Sequence, residues 1–379
     1  HFAVSAGGVK RHVLDIAAGS DRERFETIGV FPDRSLSSSV AGSMENRYRA
    51  CFAELGLECH VLEVPRELSP LRDLSAVFSL AKLIRRLKPD VLHCHSSKAG
   101  LIGRVAARLG GCDAVCFTPQ VMYYTLHSGW RRAVYLAAEK VLAPVTDATV
   151  AVSQSEFDDI SRDFSFGSRL THIPNGVLPQ PLPADTGNLR RNFEIADDDI
   201  FLLSPTRCEP QKDVRTLLLA MSRVHKEELR AKLVVAGAGP QRAELQILTR
   251  QLGLEDCVRF AGWVDDMPPL MAAADVIVLS SVREGMPYAI LEASAMGKPV
   301  IGSRVIGTMD CIQDGRSGYL VPCGDAGAFA EKILQLCGDA ELRARLGAGG
   351  ISLIHETFHR DLMVGKLEAL YEGLARRGR

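Results

Sequence analysis

Short apolar runs rich in β-branched residues alternate with helical patterns along almost the whole chain. Between most runs, apolar residues recur at three- and four-residue spacing, as in 71–87 and 216–224. Strands that alternate with helices usually pair in parallel, so the pattern predicts an α/β protein whose sheets are covered by helices. The ten runs that predict strands are "CHVLEV", "DVLHCH", "AVCFTP", "ATVAVS", "IFLLSPT", "KLVVAG", "VRFAG", "DVIVLSS", "KPVIGS" and "GYLVP".

Ten strands are more than one open sheet usually carries, so we expect two sheets in two domains. The stretch 171–188 contains four prolines, and no helix or strand can continue through it. The expected organisation is two doubly wound, Rossmann-like domains that face each other across a cleft, where the carboxyl ends of the strands bind ligands. Its parts are an N-terminal domain at 1–175, a linker at 176–190, a C-terminal domain at 191–350 and a final segment at 351–379.

The final segment contains an amphipathic pattern from about Ile351 to Leu374, which predicts one long helix that crosses back to the first domain. At the other end, "HFAVSAGG" enters a glycine loop almost at once, which indicates an incomplete first strand. Ser35–Ser43 is predicted to be a surface loop from its serine content.

Composition narrows the class of protein. The chain has 379 residues, of which 46% are hydrophobic and 24% charged, with a formal net charge of −1, so no nucleic-acid partner is indicated. No apolar run reaches the roughly 18 residues of a membrane-spanning helix, and no secretory signal is present. The ten cysteines form no CxxC pair, which favours reduced thiols and a cytoplasmic location.

The stretch "REGMPYAILEASAMG" follows the apolar run "DVIVLSS" and carries two glutamates eight positions apart, Glu284 and Glu292. We expect Gly285, Met286 and Pro287 to lead from the strand into a helix whose N-terminus favours phosphate. At a rise of 1.5 Å per residue the carboxylates lie roughly 8–12 Å apart, about the length of a nucleotide sugar. Glu284 is therefore expected to bind sugar hydroxyls and Glu292 the ribose diol. The alternative is two solvated glutamates at a helix end.

Two further loops follow predicted strands of the second half. "SPTRCEPQKDV" places Arg207 and Lys212 where two cations can neutralise a diphosphate and the charge that develops as it departs. "VVAGAGPQR" offers Gly237 and Gly239, but Arg242 occupies the sixth position of the dinucleotide-binding pattern. A dehydrogenase is therefore not indicated, and a close backbone approach to a nucleotide fits better.

The first half has two candidate features of its own. Gly7 and Gly8 precede a helical pattern and form either a loop around phosphate or acceptor, or a plain glycine turn. The stretch Lys82–Arg108 carries seven basic residues against Asp90 alone. Such a stretch is either a solvated face or a surface for anionic lipid.

No metal site is predicted. His93 and His95 lie two positions apart on one strand face, but no third ligand can be assigned. We expect His95 to line the cleft as a candidate catalytic residue, with His93 packed beneath it. The acidic run Asp197–Asp199 precedes a strand at the end away from the cleft, so it is interpreted as a polar lead-in.

Taken together, these motifs resemble a family 4 glycosyltransferase with the GT-B fold over the whole chain. The specific part is the E-x7-E block with the upstream Arg/Lys pair. Corroborating motifs are "AGAGP", "IPNGV", "AVSQSE", "HCHSSKAGLIGR" and "GGVKRHVLDIA". The resemblance implies a retaining, metal-independent enzyme without a cofactor, in which the departing phosphate itself accepts the proton of the acceptor hydroxyl.

The resemblance also assigns residues. Glu284 matches the glutamate that contacts the donor sugar, and Glu292 matches the one that binds the ribose. Arg207 and Lys212 match the pair on the donor diphosphate. Gly8 matches the glycine of the N-terminal loop that closes over donor and acceptor.

Two positions depart from the family pattern. Many relatives have "TPHG" after the strand "AVCFTP", whereas this chain has Gln120 in place of the histidine. Glutamine donates hydrogen bonds but does not act as an acid or base near pH 7, so activity or sugar preference is in question. Where relatives have Gly-Gly-x-x-Glu this chain has "GTMDCIQDG", in which Asp310 stands in for the acid.

The sequence therefore predicts a glycosyltransferase that moves a sugar from a nucleotide diphosphate to a glycan or lipid-linked acceptor. Such an enzyme would act in cell-surface polysaccharide or glycolipid assembly, in the cytoplasm with peripheral contact to the inner membrane face. Two alternatives remain at this point. One is a sugar-nucleotide epimerase or hydrolase of the same fold, and the other is a catalytically weak nucleotide-sugar binding protein.

Overall fold

The computed structural model describes residues 1–4, 7–33, 49–64, 69–164, 167–179 and 187–377. The chain divides into two compact units. The first unit comprises His1–Gly176 together with Arg360–Arg379, and the second comprises Val177–His359. The predicted surface loop Ser35–Ser43 and part of the predicted linker lie outside the described residues.

The first unit is built on a parallel sheet of seven strands. These are β1 (Phe2–Ala3), β2 (Ile28–Asp33), β3 (Glu58–Glu63), β4 (Val91–His95), β5 (Ala114–Thr118), β6 (Ala148–Ala151) and β7 (Leu170–His172). Their order across the sheet is β3-β2-β1-β4-β5-β6-β7. The helices are α1 (Gly8–Gly19), α2 (49–54), α3 (Pro70–Leu87), α4 (Ser97–Gly110), α5 (Gly129–Leu142), α6 (Gln154–Asp163) and, from the end of the chain, α15 (Arg360–Arg377).

The second unit contains a parallel sheet of six strands. These are β8 (Ile200–Ser204), β9 (Ala231–Ala236), β10 (Val258–Gly262), β11 (Val276–Leu279), β12 (Val300–Ser303) and β13 (Gly318–Val321), in the order β10-β9-β8-β11-β12-β13. The helices are α7 (Gly187–Asn192), α8 (Val214–Glu227), α9 (Arg242–Gln251), α10 (Met267–Ala273), α11 (Tyr288–Ala295), α12 (Thr308–Cys311), α13 (Ala326–Gly338) and α14 (Ala340–Glu356).

In both sheets the order in which strands are added reverses at the same point. In each, the chain moves outward from its first strand for two strands and then returns to the other side of that first strand. The reversal falls between β1 and β4 in the first unit and between β8 and β11 in the second. At such a reversal the connecting loops diverge at the carboxyl ends of the strands, which is where doubly wound sheets bind ligands. The prediction of two doubly wound parallel α/β domains is confirmed.

All ten strands predicted from apolar runs are present, and the short β1 lies where an incomplete first strand was expected, while β2 and β7 were missed. Strand β2 contains Gly29 and Pro32, both of which weaken a strand pattern. Gly29 is required there, because a Cβ at that position would lie 2.6 Å from the Phe52 ring. Strands β1 and β7 have only two and three residues, too few for a periodic signal.

The predicted single helix over Ile351–Leu374 is wrong. Helix α14 ends at Glu356 and α15 begins at Arg360. Between them, the Phe358 carbonyl accepts a hydrogen bond from the Val177 N–H at 2.9 Å instead of from a later residue of a continuous helix. Helix α15 then packs in the first unit, where its residues Val364, Leu367 and Tyr371 share a core with Ile16 and Cys116.

Helix α14 approaches the end of α11 closely. A Cβ at Gly347 in the middle of α14 would lie 2.0 Å from the carbonyl oxygen of Gly297, the residue that turns the chain after α11. Gly297 itself has φ of +68°, a conformation that glycine adopts without strain. The pair of glycines therefore sets how near α14 comes to α11.

We expect Gly347→Ala to destabilise the second unit by about 1–3 kcal/mol, because the added methyl group forces α14 away from the Gly297 carbonyl. Gly365→Ala is the matched control, since Gly365 lies inside α15 and its Cβ would meet no atom within 4 Å. The control should be stabilised by roughly 1 kcal/mol from helix propensity alone. Urea denaturation of both variants measures these changes, and equal effects would contradict the packing argument.

Candidate functional site

Two loops at the sheet reversal of the second unit are joined by hydrogen bonds. The loop after β8 and the loop after β11 meet where the Val282 N–H donates to the Gln211 carbonyl at 2.9 Å and the Gln211 amide donates to the Arg283 carbonyl at 2.8 Å. The Ser280 hydroxyl donates to the backbone carbonyls of Lys212 and Asp213, at 3.1 and 2.9 Å. These bonds bring the predicted cation loop and the predicted acidic loop into contact.

Glu284 lies at the centre of this junction. Its Oε1 atom is 2.5 Å from the Lys212 ammonium nitrogen and 2.5 Å from the Ser281 hydroxyl. The side chain of Glu284 is buried, with a relative exposure of 8%, and that of Lys212 is nearly so at 15%. The ammonium group and the hydroxyl together hold the buried carboxylate at a fixed position. The structure thus brings Glu284 and Lys212 together, and it adds Ser281, which sequence analysis missed.

The loop after β12 also contacts the backbone at Glu284. The Glu284 N–H donates to the Ile306 carbonyl at 3.1 Å. The next residue, Gly307, has φ of +82°, and a Cβ there would lie 2.3 Å from the Gly285 carbonyl oxygen. Gly307 is therefore needed for the loop after β12 to reach the Glu284–Gly285 backbone. Asp310 lies half-buried in the short helix α12 that follows.

Arg207 lies apart from the Glu284 junction. Its side chain is 46% exposed, and its Nη1 atom is 2.7 Å from Glu209 Oε1. The two predicted cations therefore differ in setting, because Lys212 is held by a buried acid and Arg207 by a partly exposed one.

The glycines after β9 contact the protein's own backbone. A Cβ at Gly237 would lie 2.1 Å from the Thr206 carbonyl oxygen, and one at Gly239 would lie 2.3 Å from the Cys208 carbonyl oxygen. Both glycines thus allow the loop after β9 to pack on the loop that carries Arg207. This contact accounts for glycine at both positions.

Helix α11 begins at Tyr288, directly after Pro287, and ends before Met296. The side chains of Met286 and Tyr288 are buried in this turn. Glu292 lies in the second turn of the helix and is half-buried.

The corresponding reversal in the first unit contains histidines. His95 ends β4 and is fully buried, with its Nε2 atom 3.0 Å from His1 Nδ1. His95 was expected to line the cleft, and in this structure its side chain is enclosed by the first unit. His93 packs beneath it as expected, and its two ring nitrogens lie 2.7 Å from the Tyr371 and Thr118 hydroxyls.

His1, His93 and His95 bring their ring nitrogens within 4.8 Å of one another, so the third histidine that the sequence could not supply is present. A metal ion would have to displace one of the two hydroxyl partners of His93. Hydrogen bonds among the side chains account for the cluster as it stands.

Burial lowers the pKa values of His12, His93 and His95. The pKa of His12, which adjoins His95, falls from 6.5 to about 4, mainly through loss of solvation. Burial also holds the pKa values of His93 and His95 well below the ordinary value. The imidazoles of His12, His93 and His95 are therefore neutral near pH 7.

Gln120 follows β5 in a left-handed conformation with φ of +61°, and Ser96 follows β4 with φ of +76°. The two segments are adjacent, because the Ser96 N–H donates to the Thr118 carbonyl at 2.9 Å. Among the described residues, the Gln120 Nε2 and Ser96 Oγ atoms are buried without a hydrogen-bond partner. Such backbone conformations in residues other than glycine often mark functional sites. No sequence pattern indicates the conformation of Ser96.

Gly8 is the exposed first residue of α1, after Gly7 with φ of +72°. The basic stretch Lys82–Arg108 is not one solvated face. Arg104 is buried and ion-paired to Glu139, and Lys98 pairs with Asp73 at 2.8 Å. Within the described part of the chain, no helix combines the length and apolar character needed to span a membrane.

Comparison with known proteins agrees with these features. The model of Glycosyltransferase Family 4 matches residues 6–180, and that of Glycosyl transferases group 1 matches residues 199–339. The lipopolysaccharide core biosynthesis glycosyltransferase LpsD of Rhizobium meliloti is 34% identical over 382 residues, which cover 100% of this chain and 98% of that protein. The chain therefore belongs to the family 4 glycosyltransferases.

Two further proteins are similar. The UDP-Gal:alpha-D-GlcNAc-diphosphoundecaprenol alpha-1,3-galactosyltransferase of Escherichia coli is 29% identical over 287 residues, covering 73% of this chain and 74% of that enzyme. The structure of Anabaena HepE in complex with UDP-glucose superposes with a TM-score of 0.81 at 19% identity, covering 98% and 99% of the two chains. The GT-B fold is confirmed, and the protein is a glycosyltransferase rather than an epimerase, a hydrolase or a binding protein.

We expect the first unit to lose stability as the pH falls from 6.5 toward 4. His12 is neutral when folded but takes up a proton below its ordinary pKa of 6.5 when unfolded, so acid favours the unfolded chain. His12 alone should contribute a loss of about 2 kcal/mol between pH 7 and pH 5. Urea denaturation at both pH values measures the loss. His12→Gln should reduce it, and His355→Gln, at an exposed position of α14, should not.

Ser281→Ala should lower kcat/KM by at least about tenfold, because Glu284 loses a hydrogen bond to a charged oxygen. Ser281→Thr should restore much of the rate, since the hydroxyl returns. Ser222→Ala removes a hydroxyl that bonds only the Leu219 carbonyl in α8, and serves as control. Steady-state kinetics together with thermal unfolding separate positioning from stability. Equal rates for Ser281→Ala and the control would rule out a positioning role.

Proposed function

We propose that this glycosyltransferase moves a sugar from a nucleotide diphosphate to a hydroxyl of a glycan or lipid-linked acceptor. The observation that carries the proposal is the buried pair of Lys212 and Glu284 at the sheet reversal of the second unit. A cation and an acid 2.5 Å apart suit the two sides of a sugar–phosphate bond. Lys212 would stabilise the phosphate, and Glu284 would accept hydrogen bonds from sugar hydroxyls.

We assign the remaining candidate residues to the other parts of the nucleotide sugar. Arg207 would bind the diphosphate after leaving Glu209, which its 46% exposure allows. Glu292, in the second turn of α11, would bind the ribose diol. Backbone N–H groups of the turn before α11 would face the phosphates.

The chemistry needs no metal ion or cofactor. The acceptor oxygen forms a bond to the anomeric carbon while the bond from that carbon to the phosphate oxygen breaks. The acceptor proton passes to the departing phosphate, whose negative charge Lys212 and Arg207 stabilise. Retention of configuration follows if both events occur on the same face of the sugar.

The relatives support the class of both substrates. HepE is described in complex with UDP-glucose, and the Escherichia coli relative is named for UDP-galactose and a diphosphoundecaprenol acceptor. We extend this to a UDP-sugar donor and a lipid-linked acceptor in cell-surface polysaccharide assembly. A lipid-linked acceptor favours work at the cytoplasmic membrane face, and ten free thiols are compatible with a reducing compartment.

The test combines a screen with a variant. Thermal unfolding in the presence of UDP-, GDP-, dTDP- and ADP-sugars should show one preferred nucleotide, since a ligand that binds only the folded state raises the melting temperature. Glu292→Ala should then weaken that nucleotide by about ten- to a hundredfold in calorimetry, because two hydrogen bonds to a charged group are lost. Glu331→Ala, at an exposed residue of α13, should bind normally. If the folded Glu292→Ala protein bound the nucleotide with unchanged affinity, Glu292 would not bind the ribose.

A further inference from the structure

Helix α5 carries a stripe of exposed apolar residues on its outer face. Trp130, Val134 and Val141 are 73%, 56% and 75% exposed, and exposed Ala137 lies between them on the same face. Leu142 is the only buried residue of this helix. A helix that served only to cover the sheet would bury such a stripe.

Polar contacts hold α5 in this orientation. On its inner side, Arg132 pairs with Asp163 at 3.0 Å, and Glu139 pairs with buried Arg104 at 2.7 Å. Tyr135 packs edge-on against Tyr123, with ring centroids 4.8 Å apart. These contacts hold the inner face of α5 against the rest of the first unit, and the apolar stripe on its outer face is exposed to solvent.

The neighbouring helices continue the apolar surface. In α3, Leu71, Leu74 and Phe78 are exposed at helical spacing, and Leu71 reaches 84%. Leu101 in the first half of α4 is also exposed. Helix α4 packs on α3 and contacts α5. These helices begin after β3, β4 and β5, so their first turns all lie at the carboxyl end of the sheet.

The charge of the same three helices is strongly positive, although the whole chain has a net charge of −1. The three helices contain two acidic residues, and both form ion pairs within the protein. Asp73 pairs with Lys98, and Glu139 pairs with Arg104. The helices contain ten basic residues against these two acids. The basic residues are Arg72, Lys82, Arg85, Arg86, Lys98, Arg104, Arg108, Arg131, Arg132 and Lys140.

We propose that α3, α4 and α5 form a docking surface for an anionic lipid bilayer, with Trp130, Val134 and Val141 inserted at the level of the headgroups. Apolar residues flanked by exposed Arg131 and Lys140 have the character of a helix that lies in the membrane interface. A role of this surface in bringing the enzyme to its acceptor would rest on the proposed lipid-linked acceptor, whereas bilayer binding itself does not. The surface differs from the basic stretch expected from sequence, because α5 supplies its apolar part.

The chain contains only two tryptophans, Trp130 and Trp263, which allows a direct test. In the full-length Trp263→Phe protein, vesicles of phosphatidylglycerol and phosphatidylcholine should shift Trp130 emission to shorter wavelength. Brominated acyl chains should quench it. In Trp130→Phe, the remaining Trp263 in the second unit should show neither effect. Unchanged emission of Trp130, or equal quenching of both residues, would overturn the proposal.

Vesicle flotation then separates the two contributions. Trp130→Glu should lower the partition coefficient by about tenfold or more, since a charge replaces the inserted ring. Arg131→Glu with Lys140→Glu should lower it by at least about tenfold on anionic vesicles, and high salt should have a similar effect. Leu229→Ser changes an exposed apolar residue of the second unit and should bind like the unaltered protein.

Two further outcomes are distinguishable. A Trp130 emission shift that depends on protein concentration without vesicles would mean that a second copy covers the stripe, and would overturn lipid docking. Nucleotide-dependent thermal stabilisation should persist in Trp130→Glu. Its absence in every variant, with vesicle binding intact, would refute the proposed function and leave the docking surface standing.

Discussion

The hydrogen bonds between the loop after β8 and the loop after β11 are the constraint on which the candidate site depends. Lys212 and Glu284 are 72 residues apart in the chain. They meet because β8 and β11 are adjacent at the reversal of the sheet. The Gln211 and Ser280 side chains then fix the register of the two loops. The buried charges are tolerated because each neutralises the other and Ser281 satisfies the same carboxylate oxygen.

The two sheet reversals accommodate buried polar groups in different ways. In the second unit the buried acid Glu284 is paired with the ammonium group of Lys212. In the first unit, histidines at the corresponding position lose their charge on burial and interact as neutral rings with hydroxyl groups. Similar topology therefore supports a lysine–glutamate pair at one reversal and a group of buried histidines at the other. This difference fits the assignment of the nucleotide to the second unit.

Much of the fold follows from the sequence, because β-branched runs between helical patterns identify buried parallel strands. The positions of Lys212 and Glu284 follow as well, since each comes shortly after such a run. The contacts that individual side chains and loops make cannot be predicted from the sequence. The Arg207–Glu209 pair, the packing of Gly237 on Thr206 and the burial of His95 depend on contacts between loops and helices that are distant in the chain. Weak strands such as β2, with Gly29 and Pro32, are likewise stabilised by neighbours rather than by local pattern.

Helix α15 has a consequence for how the protein is made. The first unit shares a core between Ile16 near the start of the chain and Leu367, Tyr371 and Leu374 near its end. During synthesis, the segment Val177–His359 leaves the ribosome before that core can close. The second unit can thus complete its sheet before helix α15 of the first unit has been synthesised. Loss of the final twenty residues would therefore leave the early part of the chain with an uncovered apolar face.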